Sequence, residues 1–317
     1  MSVPSSPTEC IICGGRLTAA ISDIVPAGED AGYTILDCEE CGLGVLDPQP
    51  DDLDRHYEDY YGGRHGFTRD YRANRRLYRL ERSAPTVGGR MVLDIGFGDG
   101  SFLRAAKRRG WTTVGTERNA RLDDNDGIAV FADLDAVRTA FGGGAFDAVT
   151  CWHTLEHFSD PAALLDQIHG LLADDGVLLI AVPDYHGRQS RIFGRYWLHL
   201  DVPRHLYHFG PDSLGRLLTD HGFRIGGMSH HEFEYDVMGW AQSLLNRMFS
   251  AQDVFFRTLA GRPTGAGVGG RVVNFVLGAL FSAVSLPMVL IDAVGGRGGT
   301  LVVRASKIKS AGGLPAK

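Results

Sequence analysis

Residues 92–103 read VLDIGFGDGSFL, and this stretch decides the fold. An apolar run at 91–95 predicts a buried strand, a glycine-rich turn follows at 96–100, and apolar residues on one helical face predict a helix at 101–109. Ligands of parallel α/β sheets bind beyond the carboxyl ends of the strands, which is where this turn lies. The stretch therefore predicts the first strand, turn and helix of a ligand-binding α/β domain.

The chain downstream continues to alternate between strand-like and helix-like segments. Further strands are predicted at 112–117, 128–131 and 146–152, a helix at 160–172, and a fifth strand at 176–182. Alternation of this kind predicts a parallel sheet with helices on both faces.

Acidic residues at the ends of three strands discriminate between classes of ligand. Asp94 lies on the first strand, Glu117 ends the second, and Asp133 follows the third. The turn lacks the third-glycine spacing of a dinucleotide-binding loop, and Glu117 suits the two hydroxyls of a ribose. Because the loop is acidic, it favours a ligand with a ribose and a cationic centre over one with a pyrophosphate.

Five motifs, taken in order, resemble those of class I S-adenosylmethionine-dependent methyltransferases. They are VLDIGFGDGSFL, VGTE, FADLDAV, FDAVTCWHTLEHFSDP and LLADDGVLLIAVPD, and the resemblance covers about residues 88–184. It implies an α/β fold with a seven-stranded Rossmann-like methyltransferase sheet, whose last two strands, antiparallel to each other in part, we place at 224–233 and 300–305. It also implies S-adenosylmethionine as the methyl donor.

The resemblance further implies seven cofactor-binding residues, which together cover the methionine, ribose and adenine parts of the ligand. They are Asp94, Gly96 and Gly98 around the methionine moiety, Glu117 at the ribose, Asp133 at the adenine amine, and Leu134 and Trp152 near the base and the sulfonium. The alternative is that Asp94 and Glu117 are merely solvated strand ends.

Four cysteines form two C-x2-C pairs separated by 24 residues: Cys10, Cys13, Cys38 and Cys41. This spacing lets four thiolates surround one ion, and it predicts a zinc-ribbon-like module over 1–50. Since no His, Asp or Glu breaks the set to leave an open position, the predicted zinc is structural. A disulfide pair, which a reducing compartment disfavours, and a redox dithiol are the alternatives.

Histidines supply candidates for a general base, which methyl transfer needs only for a protonated acceptor. His153 and His157 frame the segment HTLEH, which resembles the E-x-x-E-H metal motif of ubiquinone O-methyltransferases and small-RNA 2′-O-methyltransferases. His153 stands in place of the first glutamate, and because Mg²⁺ prefers oxygen ligands, this departure argues against Mg²⁺. A general base from this segment and a structural role are the other interpretations.

A second histidine cluster occupies residues 197–209, WLHLDVPRHLYHF. It lies beyond the fifth strand, where the acceptor usually binds, and we expect His205 or His208 to act there, with Asp201 or Glu156 orienting a basic histidine. Similar segments occur in bacterial methyltransferases that carry an N-terminal cysteine module. Sugar C-methyltransferases share the module in outline but have a longer C-terminal half.

An apolar insertion at 236–298 separates the last two predicted strands by far more than a hairpin needs. Within it, residues 272–291 carry no charge over a length that can span a bilayer. A full crossing would leave the final strand on the far side of the membrane, and we expect Pro287 to interrupt the helix near its end. Peripheral membrane contact, a homodimer interface or substrate lid, and ordinary core packing are the three interpretations.

The overall composition is that of a globular chain, with 317 residues, 44% of them hydrophobic and 22% charged. The net charge of -6 argues against nucleic acid as a partner. The N-terminus has no basic region followed by an apolar stretch, so we expect a cytoplasmic protein, at the membrane surface if the insertion docks there.

We predict a zinc-ribbon-like module at 1–50, a linker and leading helix at 51–87, and a methyltransferase domain at 88–310. The tyrosine-rich residues 51–63 would form a solvated linker or close over a ligand, and the basic amphipathic helix at 69–83 would pack on the next domain. The expected activity is methylation of a small-molecule, sugar or lipid-linked acceptor at oxygen or carbon. An RNA methyltransferase that grips nucleic acid with its zinc ribbon, and a non-catalytic S-adenosylmethionine-binding scaffold, are the alternatives.

Overall fold

Residues 92–103 form the predicted strand, turn and helix, with the strand at Met91–Ile95 and the helix at Ser101–Arg108. The computed structural model describes residues 6–26, 32–53, 56, 68–84, 89–117 and 127–308. Four of the five strand residues are buried, as expected for a strand that is covered on both faces.

The strands fall into two sheets. In chain order they are β1 Leu17–Ile24, β2 Tyr33–Cys38, β3 Gly44–Asp47, β4 Met91–Ile95, β5 Thr112–Thr116, β6 Ala129–Phe131, β7 Phe146–Trp152, β8 Leu172–Pro183, β9 Tyr207–His208, β10 Phe223–Ser229 and β11 Thr300–Lys307. The large sheet has the order β10-β11-β8-β7-β4-β5-β6, and within it β11 runs antiparallel to both of its neighbours. The predicted seven-stranded α/β fold is therefore confirmed.

Helices cover both faces of the large sheet. They are α1 Arg69–Ser83, α2 Ser101–Arg108, α3 Leu134–Phe141, α4 Pro161–Leu171, α5 Arg188–Phe193, α6 Pro211–Asp220, α7 Phe233–Met248, α8 Val254–Leu259 and α9 Val268–Val294. Successive residues of β4 enter separate buried clusters: Val92 packs with Leu77 of α1, whereas Leu93 packs in the cluster that holds Leu165 of α4. The carboxyl edge of the sheet lies between these two layers of helices, and the candidate site is at this edge.

The small sheet joins the cysteine module to the histidine-rich segment. Its order is β1-β2-β3-β9, and all of its pairings are antiparallel. Gly44 and Val45 of β3 pair with His208 and Tyr207 of β9. The sequence did not predict this pairing, since a two-residue strand carries no periodicity.

Helix α9 is continuous over 27 residues and passes through Pro287. The expectation that Pro287 interrupts the helix is wrong. Proline removes one backbone hydrogen bond, but Pro287 is exposed and the helix continues for seven residues beyond it. By length and composition α9 could cross a membrane, and 22% of its most apolar window is buried.

Most of the tyrosine-rich stretch at 51–63 lies outside the described residues, as does the end of the predicted domain after residue 308. The helix predicted at 69–83 forms as α1. The boundaries 1–50, 51–87 and 88–310 stay predictions.

Candidate active site

A cavity of about 1430 Å³ lies at the carboxyl edge of the large sheet, beside the glycine-rich turn. Gly96 and Gly98 have φ values of 68° and 58°, a conformation that glycine adopts without steric cost. A Cβ on Gly96 would lie 2.5 Å from the side chain of Thr154, whereas the space beside Gly98 is open to 4 Å. The turn therefore presents bare backbone at Gly98, where a ligand can approach closely.

Glu117 and Asp133 line the cavity on the side of β5 and β6. The Oε2 of Glu117 accepts the N–H of Gly98 at 2.9 Å, which ties the acid to the turn. The Oδ1 of Asp133 caps α3 by accepting the N–H of Ala136 at 2.8 Å, and Leu134 lies beside it on the wall. The structure thus brings three of the predicted cofactor residues to one side of one cavity.

Asp94 lies beneath the turn, 1% exposed, one layer below the cavity wall. It accepts the hydroxyl of Thr150 at 2.5 Å, a bond that joins the end of β4 to β7. Burial raises the pKa of Asp94 to about 7, against the opposing effects of Thr150 and the positive charge of Arg76. Its place in the structure is that of a residue that supports the turn from below.

Trp152 ends β7 and lines the cavity, with the guanidinium of Arg76 5.2 Å above its ring. Arg76 Nη2 donates to the hydroxyl of Tyr235 at 3.5 Å, while its buried Nε and the Nε1 of Trp152 have no hydrogen-bond partner within the described ranges. Burial opposes the charge of Arg76, but Tyr235, Glu232 and Asp94 raise its pKa above the ordinary value. A charged, partly unsatisfied arginine on the cavity wall suits an anionic group of a ligand.

His153 is held between two acidic residues and a tyrosine. Its ring stacks on Tyr235 at a centroid distance of 3.9 Å, its Nε2 lies 3.3 Å from Glu232 Oε2, and its Nδ1 lies 3.8 Å from Glu156 Oε1. Burial lowers the pKa of His153. Burial also opposes ionisation of Glu232, but the hydrogen bond from His153 and the charge of Arg76 bring its pKa down to about 2. Glu232 is therefore an ionised acceptor that fixes the orientation of the His153 ring.

Glu156, His157 and His205 lie together, with one ligand atom of each within 4.8 Å of the others. The two histidines line the cavity, and Glu156 is buried behind them. The Nδ1 of His157 contacts the carbonyl of Arg204 at 2.9 Å, and the Nδ1 of His205 contacts the carbonyl of His199 at 3.0 Å. Because a carbonyl only accepts hydrogen bonds, each Nδ1 must carry the proton. In each neutral ring Nε2 is therefore the unprotonated nitrogen, and that of His205 lies 3.9 Å from Glu156 Oε1 and 3.5 Å from Asp201 Oδ2.

Burial sets the protonation of this cluster. It lowers the pKa of His157 to about 4 and that of His205 well below the ordinary value, and it raises the pKa of Glu156 to about 8. In the part of the chain that the structure describes, neither carboxylate oxygen of Glu156 has a hydrogen-bond partner of normal geometry. At neutral pH the cluster consists of two neutral imidazoles and a protonated carboxyl. One carboxylate and two imidazoles offer Mg²⁺ few of the oxygen ligands that it prefers. That the cluster does not bind Mg²⁺ therefore remains a prediction.

His208 does not join His205 at the cavity. It lies on β9, 3% exposed, and its Nε2 donates to the carbonyl of Leu200 at 3.0 Å. Pairing of β9 with β3 holds it in the small sheet, and burial lowers its pKa to about 4. Of the four histidines predicted as catalytic, His153, His157 and His205 line the cavity and His208 supports the segment from behind.

The four cysteines of the N-terminal module lie together. Cys10 and Cys41 have their Sγ atoms 3.6 Å apart, and Cys13 and Cys38 have theirs 3.3 Å apart. Four sulfurs at about 2.3 Å from one Zn²⁺ would be about 3.8 Å apart, so the cluster fits a tetrahedral ion. Backbone N–H groups lower the pKa of Cys38 to about 7 against the effect of burial. The donor set is therefore that of a structural zinc site.

Sequence reasoning missed Arg76 and Glu232 as residues of the site. Arg76 lies on a helix with many arginines, and nothing in the pattern distinguishes the one that faces the cavity. Glu232 follows β10, which runs parallel to β8. The rule that ligands bind beyond the carboxyl ends of strands could have found it.

Comparison with known proteins identifies related sequences. Residues 67–226, about half of the chain, match a family profile described as a methyltransferase domain. A protein named ubiquinone biosynthesis O-methyltransferase from Actinobacillus pleuropneumoniae serotype 5b is 29% identical over 119 residues, which are 33% of this chain and 51% of that protein. The protein of the same name from Psychrobacter arcticus is 30% identical over 156 residues, which are 43% of this chain and 60% of that protein.

The chain thus spans about half to three fifths of the length of these curated relatives. Among solved structures, an S-adenosylmethionine-dependent methyltransferase from Archaeoglobus fulgidus superposes with a TM-score of 0.49 and 19% identity, covering 81% of this chain and 100% of that chain.

Proposed function

The chain belongs to the methyltransferase-domain family, and from this premise we propose that it transfers the methyl group of S-adenosylmethionine to a hydroxyl oxygen of a small apolar acceptor. One observation carries the proposal: the turn at Gly98 with Glu117, and the cluster of His157 with His205, line the same cavity. The names of the relatives, ubiquinone biosynthesis O-methyltransferases, support oxygen as the methylated atom and a small molecule as the acceptor class.

The residues present fit the methyl donor. S-adenosylmethionine would supply an electrophilic methyl group on a sulfonium. Glu117 offers a carboxylate to ribose hydroxyls, Leu134 and Asp133 border the room for an adenine, and Arg76 offers a positive charge to the carboxylate of the amino-acid end. The orphaned donors on Arg76 and Trp152 support this assignment, since a bound ligand would satisfy them.

An acceptor hydroxyl loses its proton as the new carbon–oxygen bond forms. His157 and His205 each hold a lone pair on Nε2, and Glu156 lies beside them with a pKa raised by burial to about 8. We assign the two imidazoles the role of accepting the proton of the acceptor and passing it to the ionised form of Glu156, which is populated as the pH approaches its raised pKa of about 8. The cavity would hold the acceptor oxygen away from water and in the orientation needed for methyl transfer. This orientation would supply the rest of the rate enhancement.

The far end of the cavity supports an apolar acceptor. Phe255, Phe256, Leu259 and Phe275 line it there, on helices α8 and α9. Aromatic and aliphatic side chains suit a ring or chain of hydrocarbon better than the hydroxyls of a sugar. A small apolar or lipid-linked molecule with a hydroxyl group is the class of acceptor that fits both ends of the cavity.

We propose that Zn²⁺ binds the four cysteines of the module and stabilises it. The buried apolar residues of this segment, such as Ile35, Leu43 and Leu46, belong to the same cluster as those of the large sheet, and metal ligation would add folding free energy to this packing. Its ligands need reduced thiols, which the cytoplasm provides.

The proposal is tested with zinc-loaded protein, methyl-labelled S-adenosylmethionine and an extract of cells that lack the gene. The products are separated into lipid-soluble, small polar, nucleic-acid and protein fractions. We expect the label in a lipid-soluble small molecule, with the label resistant to mild alkali because an ether does not hydrolyse.

Two variants and one matched control connect the label to the cluster. His157→Ala and His205→Ala should reduce incorporation at least about tenfold, the usual range for loss of a general base. His221→Ala removes a surface histidine that pairs with Asp166 and should leave incorporation unchanged. Label in nucleic acid would replace this proposal with RNA methylation, and binding of the cofactor without label in any fraction would favour a scaffold.

A further inference from the structure

Helix α9 exposes a large apolar surface. Val276, Leu280 and Val284, in its middle, are 59%, 52% and 65% exposed. The same outer face includes Val272, Val273, Leu286, Leu290, Ile291 and Val294, which are also exposed. A contiguous apolar face of this length marks a binding surface in most soluble proteins.

The inner face of α9 is fixed to the protein by polar contacts. Asp292 accepts the indole N–H of Trp240 at 3.1 Å and pairs with Arg188, and Asn274 and Ser285 are also buried. At its C-terminal end the chain enters β11, which lies inside the large sheet. Both ends of α9 therefore belong to one body, and the helix lies along the surface of that body rather than across a bilayer.

Arginines predominate among the charged residues of α8, α9 and the segments that flank them. Between residues 254 and 299 the sequence contains four arginines, Arg257, Arg262, Arg271 and Arg297, and one acidic residue, the buried Asp292. Arg271 and Arg297 are exposed near the two ends of α9, whereas Arg257 and Arg262 line the cavity. Apolar residues framed by arginine complement a surface of apolar chains and anionic headgroups.

The outer face is continuous with the candidate active site. Phe275 and Ala279 lie on α9 and also line the cavity, and Phe255 of α8 packs against Phe275 with ring centroids 6.0 Å apart. A Cβ on Gly278 would lie 2.4 Å from the Phe255 ring, so α8 and α9 touch closely there. Phe275 is also 46% exposed, so one side chain of α9 borders both the outer surface and the cavity.

We propose that the outer face of α9 docks on the surface of an anionic lipid bilayer, with the helix axis parallel to the membrane. A second copy of the chain is the main competing occupant, but a two-fold contact through this face would bring the arginines of both copies together. The anionic headgroups of a lipid surface would instead neutralise these arginines. Docking does not depend on methyl transfer, and it would place the apolar end of the cavity next to lipid.

Vesicle flotation of the full zinc-loaded chain tests the proposal without cofactor or acceptor. We expect binding to phosphatidylcholine vesicles that contain about 30% phosphatidylglycerol, at least about tenfold weaker binding to phosphatidylcholine alone, and a further loss at about 1 M salt. The double variant Val276→Asp/Leu280→Asp should lose binding at least about tenfold. Tyr78→Asp, at a side chain of 57% exposure on α1, is the matched control and should bind like the wild type.

Folding of each variant is checked by thermal unfolding and by binding of S-adenosylhomocysteine, neither of which should change. The proposal is overturned if the wild type stays unbound with anionic vesicles, or if the double variant floats like the wild type. It is also overturned if the wild type is a dimer that the double variant converts to a monomer, since a second copy then covers the face. Failure of vesicle binding with intact methyl transfer would leave the proposed function standing.

Discussion

Leu46 donates its backbone N–H to the carbonyl of Leu206 at 3.0 Å, and this hydrogen bond joins the cysteine module to the histidine-rich segment. The bond extends the pairing of β3 with β9, one residue from His205. The cysteine module thus shares a sheet with the segment that carries His205. Binding of the proposed zinc ion would therefore act on the acceptor side of the site through this sheet.

Removal of zinc should loosen the histidine segment as well as the module. Stripping the metal, or Cys38→Ser, should lower Tm by roughly 10 °C. Several kcal/mol of the free energy of unfolding would be lost, and each kcal/mol shifts Tm by about 2–4 °C. Amide hydrogen exchange should accelerate at 33–47 and at 203–209 and stay unchanged at 91–95. Faster exchange confined to the module would show that loss of the metal does not affect the histidine-rich segment through the shared sheet.

Glu156→Gln should stabilise the protein more at pH 8 than at pH 5. Burial raises the pKa of Glu156 to about 8, while an unfolded glutamate titrates near ~4.3. Between these values the unfolded chain has released a proton that the folded chain keeps, so stability falls as pH rises, by up to about 1.4 kcal/mol per pH unit. Urea unfolding of both proteins at the two pH values measures the difference. A difference that does not grow with pH would mean that Glu156 is ionised in the folded protein.

The same carboxyl predicts the pH dependence of methyl transfer. If Glu156 receives the proton of the acceptor, the rate should rise with pH and level off above an apparent pKa of about 8. Glu156→Gln should be slower and should lack this rise, whereas Glu81→Gln, at a partly exposed surface pair with Arg109, should keep the wild-type profile. A parallel profile for wild type and Glu156→Gln would assign the proton to another group.

Arg76→Gln should weaken binding of the amino-acid end of the cofactor and leave binding of its nucleoside end unchanged. Loss of a charge-assisted hydrogen bond costs about 1.5–3 kcal/mol, so affinity for S-adenosylhomocysteine should fall at least about tenfold. Methylthioadenosine lacks the amino-acid group and should bind within about twofold of the wild type. Arg82→Gln, on the exposed side of the same helix, is the control. Equal weakening of both ligands would indicate that Arg76 only supports the packing of α1 on Trp152.

Mg²⁺ should not be required. Because the cluster offers one carboxylate and two imidazoles, adding Mg²⁺ to zinc-loaded protein should leave the transfer rate within about twofold. A rate that depends on Mg²⁺ and that disappears in Glu156→Gln would contradict the acid–base role assigned to the cluster.

The large sheet could be predicted because its signals are local. The strand at Phe146–Trp152 forms with the predicted bounds, and the glycine turn fixes the end of β4, since short apolar runs and glycine act within a few residues. The β3–β9 pairing was not predictable, because it joins residue 44 to residue 208 through a two-residue strand. Helix α9 was predicted at 272–291 with an interruption at Pro287, but it runs without a break over Val268–Val294, because the uncharged stretch marks the apolar part of the helix and not its ends.

The cofactor side of the site was more accessible to sequence reasoning than the acceptor side. Glu117 and Asp133 come directly after strands, so topology alone places them at the cavity. Among the histidines, spacing could not separate His205 from His208, three residues apart. The distinction comes from the small sheet, which holds His208 away from the cavity.

Calorimetric titration of S-adenosylhomocysteine into the zinc-loaded protein tests whether this cavity binds the methyl donor. We expect one bound molecule per chain, with affinity at least about tenfold weaker in Glu117→Ala, because a carboxylate that bonds ribose hydroxyls contributes about 1.5–3 kcal/mol. Asp135→Ala, an exposed acid paired with Arg138, should bind like the wild type. Absence of binding by the wild-type chain, or equal binding by Glu117→Ala, would contradict the assignment of this cavity to the methyl donor.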